Sequence, residues 1–170
     1  LENNGVKVHT CEHVLAACVG MDIDNLIIEI DAPEPPIRDG SSKDFVEALE
    51  KAGRVEQEAC RDEFVVEEVI SYHDDATGSE IILMPAEEYQ VTTMVDFGTK
   101  VLGTQNASLK HISDFKSEIA NARTFSFLHE LEALLDNGLI KGGDLNNAIV
   151  YVDKEISEET LQKLRKAFKD

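Results

Sequence analysis

Every second residue from Tyr89 to Phe97 is apolar or β-branched, through Val91, Thr93 and Val95. A period of two is satisfied only by a strand that turns one face to a core and the other to water, so the chain has to build a sheet. Two further runs, 64–71 and 80–85, read as strands, and the turn-rich HDDATG between them predicts an antiparallel meander of three. The period then changes. Helices are expected at 113–121 and 127–135, the second with Phe127, Leu128, Leu131, Leu134 and Leu135 on one face and Asn137-Gly138 as its left-handed stop. A glycine pair, Gly142 and Gly143, precedes a buried strand at 148–152, and Ser157 is placed to cap a last helix that turns Leu161, Leu164 and Phe168 inward.

The first third has its own grammar. Residues 5–10 look extended, and Thr10 is positioned to cap a helix burying Val14, Leu15 and Cys18 before Gly20 ends it. Ile23 to Ile30 alternates at Leu26, Ile28 and Ile30 as a strand would, and Pro33, Pro35 and Pro36 stop it. A second helix is predicted over 43–52, capped by Ser41 or Ser42, with Phe45, Val46 and Leu49 inward and Gly53 at its end. The polar RVEQEACRDE that follows has no apolar period and marks a domain boundary or a long connection near residues 54–62. Strands and helices are expected on both sides of it, over 1–60 and over 61–170.

Charge and cysteines narrow the function. With 16 Lys and Arg against 34 Asp and Glu, the formal charge of -18 repels nucleic acid and anionic lipid. No run approaches the roughly 18 apolar residues of a membrane helix, so no membrane span is expected. Cys11, Cys18 and Cys60 are odd in number, show no CxxC pairing and follow no signal-peptide pattern, which predicts a reducing, cytoplasmic setting. Cys11 and Cys18 lie two turns apart on one helix face and read as small core residues.

VHTCEHVLAACVG holds the most informative chemistry, because it sets Glu12 and His13 side by side in the first turn of a helix. Adjacent helical positions point about 100° apart, so His13 can bind a metal while Glu12 reaches the water to be activated. That is how hydrolytic zinc sites divide the work. The same pair is also what a solvated first turn looks like, with Glu12 favoured by the helix dipole. His9 has i, i+4 spacing to His13, but a cap at Thr10 would leave it outside the helix. In EIDAPEPPIRDGSS, Asp39 is either an ordinary turn residue or the partner that orients a metal-bound imidazole. In ARTFSFLHELEALLDNGLIKGGDLNNAIV, Thr124 offers a hydroxyl donor, Phe125 and Phe127 an apolar wall, and Gly142-Gly143 a close backbone approach. His73, His111 and His129 read as surface residues without partners nearby in sequence.

Taken together and in order, these stretches resemble one family. HTCEHVLAACVGMDIDNLIIEIDAPEPPIRDGSS is similar to the part of the UDP-3-O-acyl-N-acetylglucosamine deacetylases that carries their Glu-His pair, their GIDN strand entry and their P-I-x-D-G-S loop. ARTFSFLHELEALLDNGLIKGGDLNNAIV resembles their later A-R-T-F-G-F, N-G-L, G-G-S and A-I-V segments. The resemblance implies zinc-dependent hydrolysis of the N-acetyl amide of a UDP-linked acylated amino sugar, releasing acetate on the way to lipid A. It makes His13 a zinc ligand, Glu12 the general base and Thr124 the hydroxyl that helps hold the oxyanion. Phe125 would pack near the sugar, and Leu131, Ile140, Gly143 and Val150 would line a passage for the acyl chain.

The resemblance also implies two similar α+β domains, each a sheet covered by helices, with a β-α-β insert in the second at about 119–151. Against the family pattern, the opening strands of the first domain are missing. So is a later H-K-x-x-D-x-x-G-D helix that supplies two zinc ligands and a lysine for the anionic substrate, and a further histidine that serves as general acid. The expectation is a piece that binds zinc weakly and does not turn over by itself, belonging to an active parent. Some relatives fuse the deacetylase to an acyl-chain dehydratase. A rival expectation is a binding or assembly module that keeps the scaffold without the chemistry. Ser126 and Asp144 stand where the family has glycine and serine.

Overall fold

The structure, a computed structural model, describes residues 1–137 and 146–168. It opens with a small hairpin, β1 (Glu2–Asn3) and β2 (Val6–Lys7), and enters α1 (Glu12–Gly20). Thr10 does not cap that helix. Its φ of 49° is left-handed, whereas a cap needs an extended backbone, and its hydroxyl donates instead to Glu34 Oε2 at 2.8 Å. The buried face also differs from expectation. Ala17 and Cys18 are buried while Leu15 is exposed, because α1 is apolar on nearly all sides and its small residues are what its neighbours approach. The Phe115 ring packs where a side chain at Gly20 would be, 2.0 Å from the position of an added Cβ.

The second helix, α2 (Lys43–Ala52), runs as its period predicts, with Val46 buried and Phe45 and Leu49 half-buried. Ser41 Oγ accepts from Lys43 N at 3.1 Å, which leaves Ser42 free for a longer-range role. Residues 23–30 form no strand among the described residues, and Leu26, Ile27, Ile28 and Ile30 are exposed. Alternation proposes a strand, but a strand exists only against a partner. The polar connection after α2 is tied back to this stretch, with Arg61 Nη2 bonding Asp22 at 2.8 Å and Asp24 at 2.7 Å.

Two antiparallel hairpins follow in place of a three-stranded meander: β3 (Ile70–Asp74) with β4 (Ser79–Leu83), and β5 (Val91–Asp96) with β6 (Thr104–Leu109). Residues 64–69 are not strand, and β6 went unpredicted because TQNASL carries little apolar alternation. The helix expected at 113–121 is a 3-10 turn at Ile112–Asp114 running into a π turn at Phe115–Ile119. Next comes a β-α-β unit: β7 (Phe125–Phe127), α3 (Leu128–Asp136) and β8 (Ile149–Tyr151), with β7 and β8 parallel and Phe125 beside Ile149. It lies inside the 119–151 window. The chain finishes with α4 (Glu158–Phe168), where Ser157 Oγ accepts from Thr160 N at 3.1 Å as a cap should.

Ala17 and Val46 from the helical pair, together with Leu109, Phe115 and Ala120, make one core cluster, so the first third packs on the segment that follows β6. By contrast the hairpins are open. Tyr72, Ile81 and Met94 are each more than 60% exposed. The accessible surface is 13456 Å², against roughly 8,300 Å² for a folded monomer of this mass. Helices and sheets together are α+β, and no described helix is long and apolar enough to cross a membrane.

Candidate active site

Glu12 and His13 open α1, where unpaired backbone N–H groups favour a carboxylate. Glu12 Oε1 lies 3.9 Å from His13 Nε2; the carboxylate is 68% exposed and the imidazole only 17%. The ring is therefore held against the protein while its carboxylate neighbour faces solvent. Just before them Thr10 keeps its left-handed backbone, a strain of about 1–2 kcal/mol for a non-glycine residue. His9 is exposed, and its backbone N–H donates to Pro33 O at 2.9 Å.

Residues 39–42 connect this helix start to Thr124. Ser42 Oγ donates to His13 O at 2.9 Å, and Ser42 N donates to Ala120 O at 3.1 Å. Two residues earlier, Gly40 O accepts from Thr124 N at 2.7 Å, and Thr124 O accepts from Ile149 N at 2.9 Å. The backbone that carries the imidazole and the backbone that carries the hydroxyl thus meet on one short loop. Gly40 is at φ +81°, and a Cβ there would fall 2.1 Å from Asn147 O, so the close approach requires glycine.

Among the described residues no hydrogen bond joins Asp39 to His13. Asp39 Oδ1 accepts from Ser41 Oγ at 2.6 Å and Ser41 N at 3.0 Å. The Ser41 hydroxyl holds the Asp39 carboxyl below its ordinary value, and the nearby Arg123 charge adds to the effect. No local sequence signal marks Arg123 as functional. Its Nε donates to Asp39 O at 2.7 Å and its Nη2 to Asn146 O.

Phe125, 38% exposed, stands edge-on to Phe97 at 5.2 Å, Tyr151 at 5.7 Å and Phe127 at 5.8 Å. Leu131 and Val150 come together elsewhere, in a cleft of about 140 Å³ between α3, β8 and α4 that Leu128, Leu161, Leu164 and Phe168 also line. Ile140 and Gly143, with Gly138, Gly142 and Asp144, lie outside the described residues. His129 is not an isolated surface residue. Its Nδ1 is 2.7 Å from Asp153 Oδ1, whose side chain is 2% exposed, and the ring stacks on Phe127.

Zinc takes three protein ligands in a catalytic site. The described residues hold no group of three His, Cys, Asp or Glu side chains able to bind a metal, and His13 alone does not make up such a set.

Fold and site together define an α+β protein that sets a carboxylate beside a sheltered imidazole at a helix start and ties that helix, through the backbone of residues 40–42, to Thr124 at the entry of a β-α-β unit. Residues 1–167 match the family model described as LpxC: UDP-3-O-acyl N-acetylglycosamine deacetylase, and the chain belongs to that family. It is 43% identical over 164 residues to the bifunctional enzyme LpxC/FabZ of Bacteroides thetaiotaomicron, covering 96% of this chain and 36% of the relative. Its identity to the UDP-3-O-acyl-N-acetylglucosamine deacetylase of Phenylobacterium zucineum is 40% over 161 residues, covering 94% of this chain and 54% of that protein. To the deacetylase of the same name from Myxococcus xanthus it is 42% over 157 residues, or 92% and 49%. The chain thus spans about a third of the bifunctional relatives and about half of the others.

Proposed function

We propose that these residues are the part of a deacetylase that supplies the general base, one zinc ligand and an oxyanion donor. In this reading the longer protein hydrolyses the N-acetyl amide of a UDP-linked, 3-O-acylated glucosamine, releasing acetate and a free amine for lipid A synthesis in the cytoplasm. The observation that carries it is the Glu12–His13 pair, 3.9 Å apart with the imidazole sheltered, in a chain of this family.

His13 would hold zinc with two ligands from beyond these residues. When bound, the metal supplies Lewis acidity, lowering the pKa of water towards 7 and polarising the amide carbonyl. Glu12, open to solvent, takes the proton of the attacking water. The Thr124 hydroxyl donates to the oxygen on which negative charge develops, and its worth lies in being in place before the reaction begins. Collapse expels the amine, which takes its proton from a general acid beyond this chain. Phe125 would face the sugar. Leu131 and Val150, already sharing an apolar cleft, support an acyl route that Ile140 and Gly143 would extend.

The proposed division is 1–60 and 61–170, with the insert at about 119–151. The exposed apolar residues of the hairpins support further elements packing there. The bifunctional relatives support an acyl-chain enzyme joined to the same protein.

Acetate release by the longer protein tests the reading. Glu12→Ala should slow it by about 10² to 10⁴ while zinc stays bound. An unchanged rate would sink Glu12 as the general base, whereas a wild-type protein that releases no acetate would leave the binding or assembly module.

A further inference from the structure

We infer that Arg123 is a positioning residue: by gripping the backbone carbonyls of Asp39 and Asn146 together, its guanidinium sets where the Thr124 hydroxyl stands relative to Glu12 and His13. This rests on the deacetylase reading above and adds to it a residue with no assigned role.

The two carbonyls come from segments 84 and 23 residues away along the chain. One guanidinium reaches both because its N–H donors sit in a rigid planar fork. Its hydrogen-bond partners are neutral carbonyls and no ion pair joins it to a described residue, so the grip itself fixes geometry, while its charge acts on the Asp39 carboxyl only from a distance. Immediately after it, the Thr124 backbone bonds the same two segments, at Gly40 O (2.7 Å) and Ile149 N (2.9 Å). The β7–β8 ladder holds the 149 side, but towards the 39–42 loop Thr124 makes a single backbone hydrogen bond, about which it can pivot. Arg123 Nε adds a second bond to that loop, displaced by one residue, and stops the pivot.

What the fork holds leads directly to the chemistry. The 39–42 loop that receives Nε also bonds His13 O through Ser42 Oγ at 2.9 Å. A shift of β7 against this loop therefore moves the oxyanion donor away from the base and the metal ligand. A displacement near 1 Å is enough to cost about a hundredfold in rate. Because the hydroxyl serves charge that appears only in the transition state, the loss belongs in kcat and not in KM.

Steady-state deacetylation by the full-length protein, with thermal unfolding as a check on folding, tests this using Arg123→Lys and Arg123→Ala. Both should unfold within a few degrees of wild type and keep KM within about twofold, while kcat falls about 10- to 100-fold. Lysine should do no better than alanine, since a point ammonium cannot span two carbonyls. Added guanidinium ion should restore part of kcat in Arg123→Ala and none in Arg123→Lys. A folded Arg123→Lys with wild-type kcat overturns the inference alone. So does a loss that merely follows the unfolded fraction without rescue, or an Arg123→Lys that does not fold. A wild-type protein that releases no acetate overturns the functional reading, and this inference with it.

Discussion

Replacing Gly40 by alanine should damage both stability and chemistry, and the structure sets the size. The residue is at φ +81°, where a side chain costs about 1–2 kcal/mol. Its new Cβ would stand 2.1 Å from Asn147 O and 3.1 Å from Thr124 Cγ2. The first neighbour is backbone and cannot rotate aside, so the two segments must part by about 1.3 Å to reach the ordinary contact distance of 3.4 Å. That opening stretches the Thr124 N to Gly40 O bond and both bonds of Arg123, each worth about 1 kcal/mol net. With partial relaxation the total is on the order of 2–4 kcal/mol, or a fall in Tm of roughly 6–12 °C for a domain of this size. Thermal unfolding of the longer protein reads the first effect and acetate release the second, which should drop about a hundredfold. A Gly40→Ala protein within 2 °C or so of wild type and within about threefold in rate would refute the idea that the loop and β7 are held in register by this approach.

Other consequences are simpler. Val46 is 2% exposed in the cluster that joins α2 to Phe115, so Val46→Ala should cost about 2 kcal/mol in denaturant unfolding. Asp39 is held below its ordinary pKa of 3.8 by Ser41. Its depressed folded value means that its stabilisation is complete above its unfolded pKa and is lost as pH falls through the folded one. Acid unfolding below about pH 4 should therefore become shallower in Asp39→Asn. Burial pushes the Cys18 thiol up, while Cys60 is exposed. A thiol reagent at neutral pH should modify Cys60 first and Cys18 last, as peptide mapping would show.

Local pattern reached α2 and α4 because each alternates polar and apolar faces at a helical period and carries a serine at its start. It failed where pairing decides. Residues 23–30 alternate yet find no partner strand, and β6, TQNASL, is a strand only because β5 lies beside it with Val91 opposite Leu109. The Glu12–His13 adjacency was readable because both residues lie in one turn. Their tie to Thr124 was not, since Ser42, Gly40 and Ile149 act there through backbone atoms that leave no mark on residue type. Gly40 is the exception, because a glycine before Ser41 hints at close approach. Arg123 was visible only as part of ARTF, and His129 gained its partner from Asp153, 24 residues on.

Metal content of the purified longer protein, measured alongside that of His13→Ala, puts the central claim to the most direct test. Wild type should carry about one zinc per chain, and His13→Ala should lose it along with acetate release, since two remaining ligands do not hold a catalytic zinc. A His13→Ala protein that keeps a full complement of zinc and still deacetylates would contradict the assignment of this imidazole.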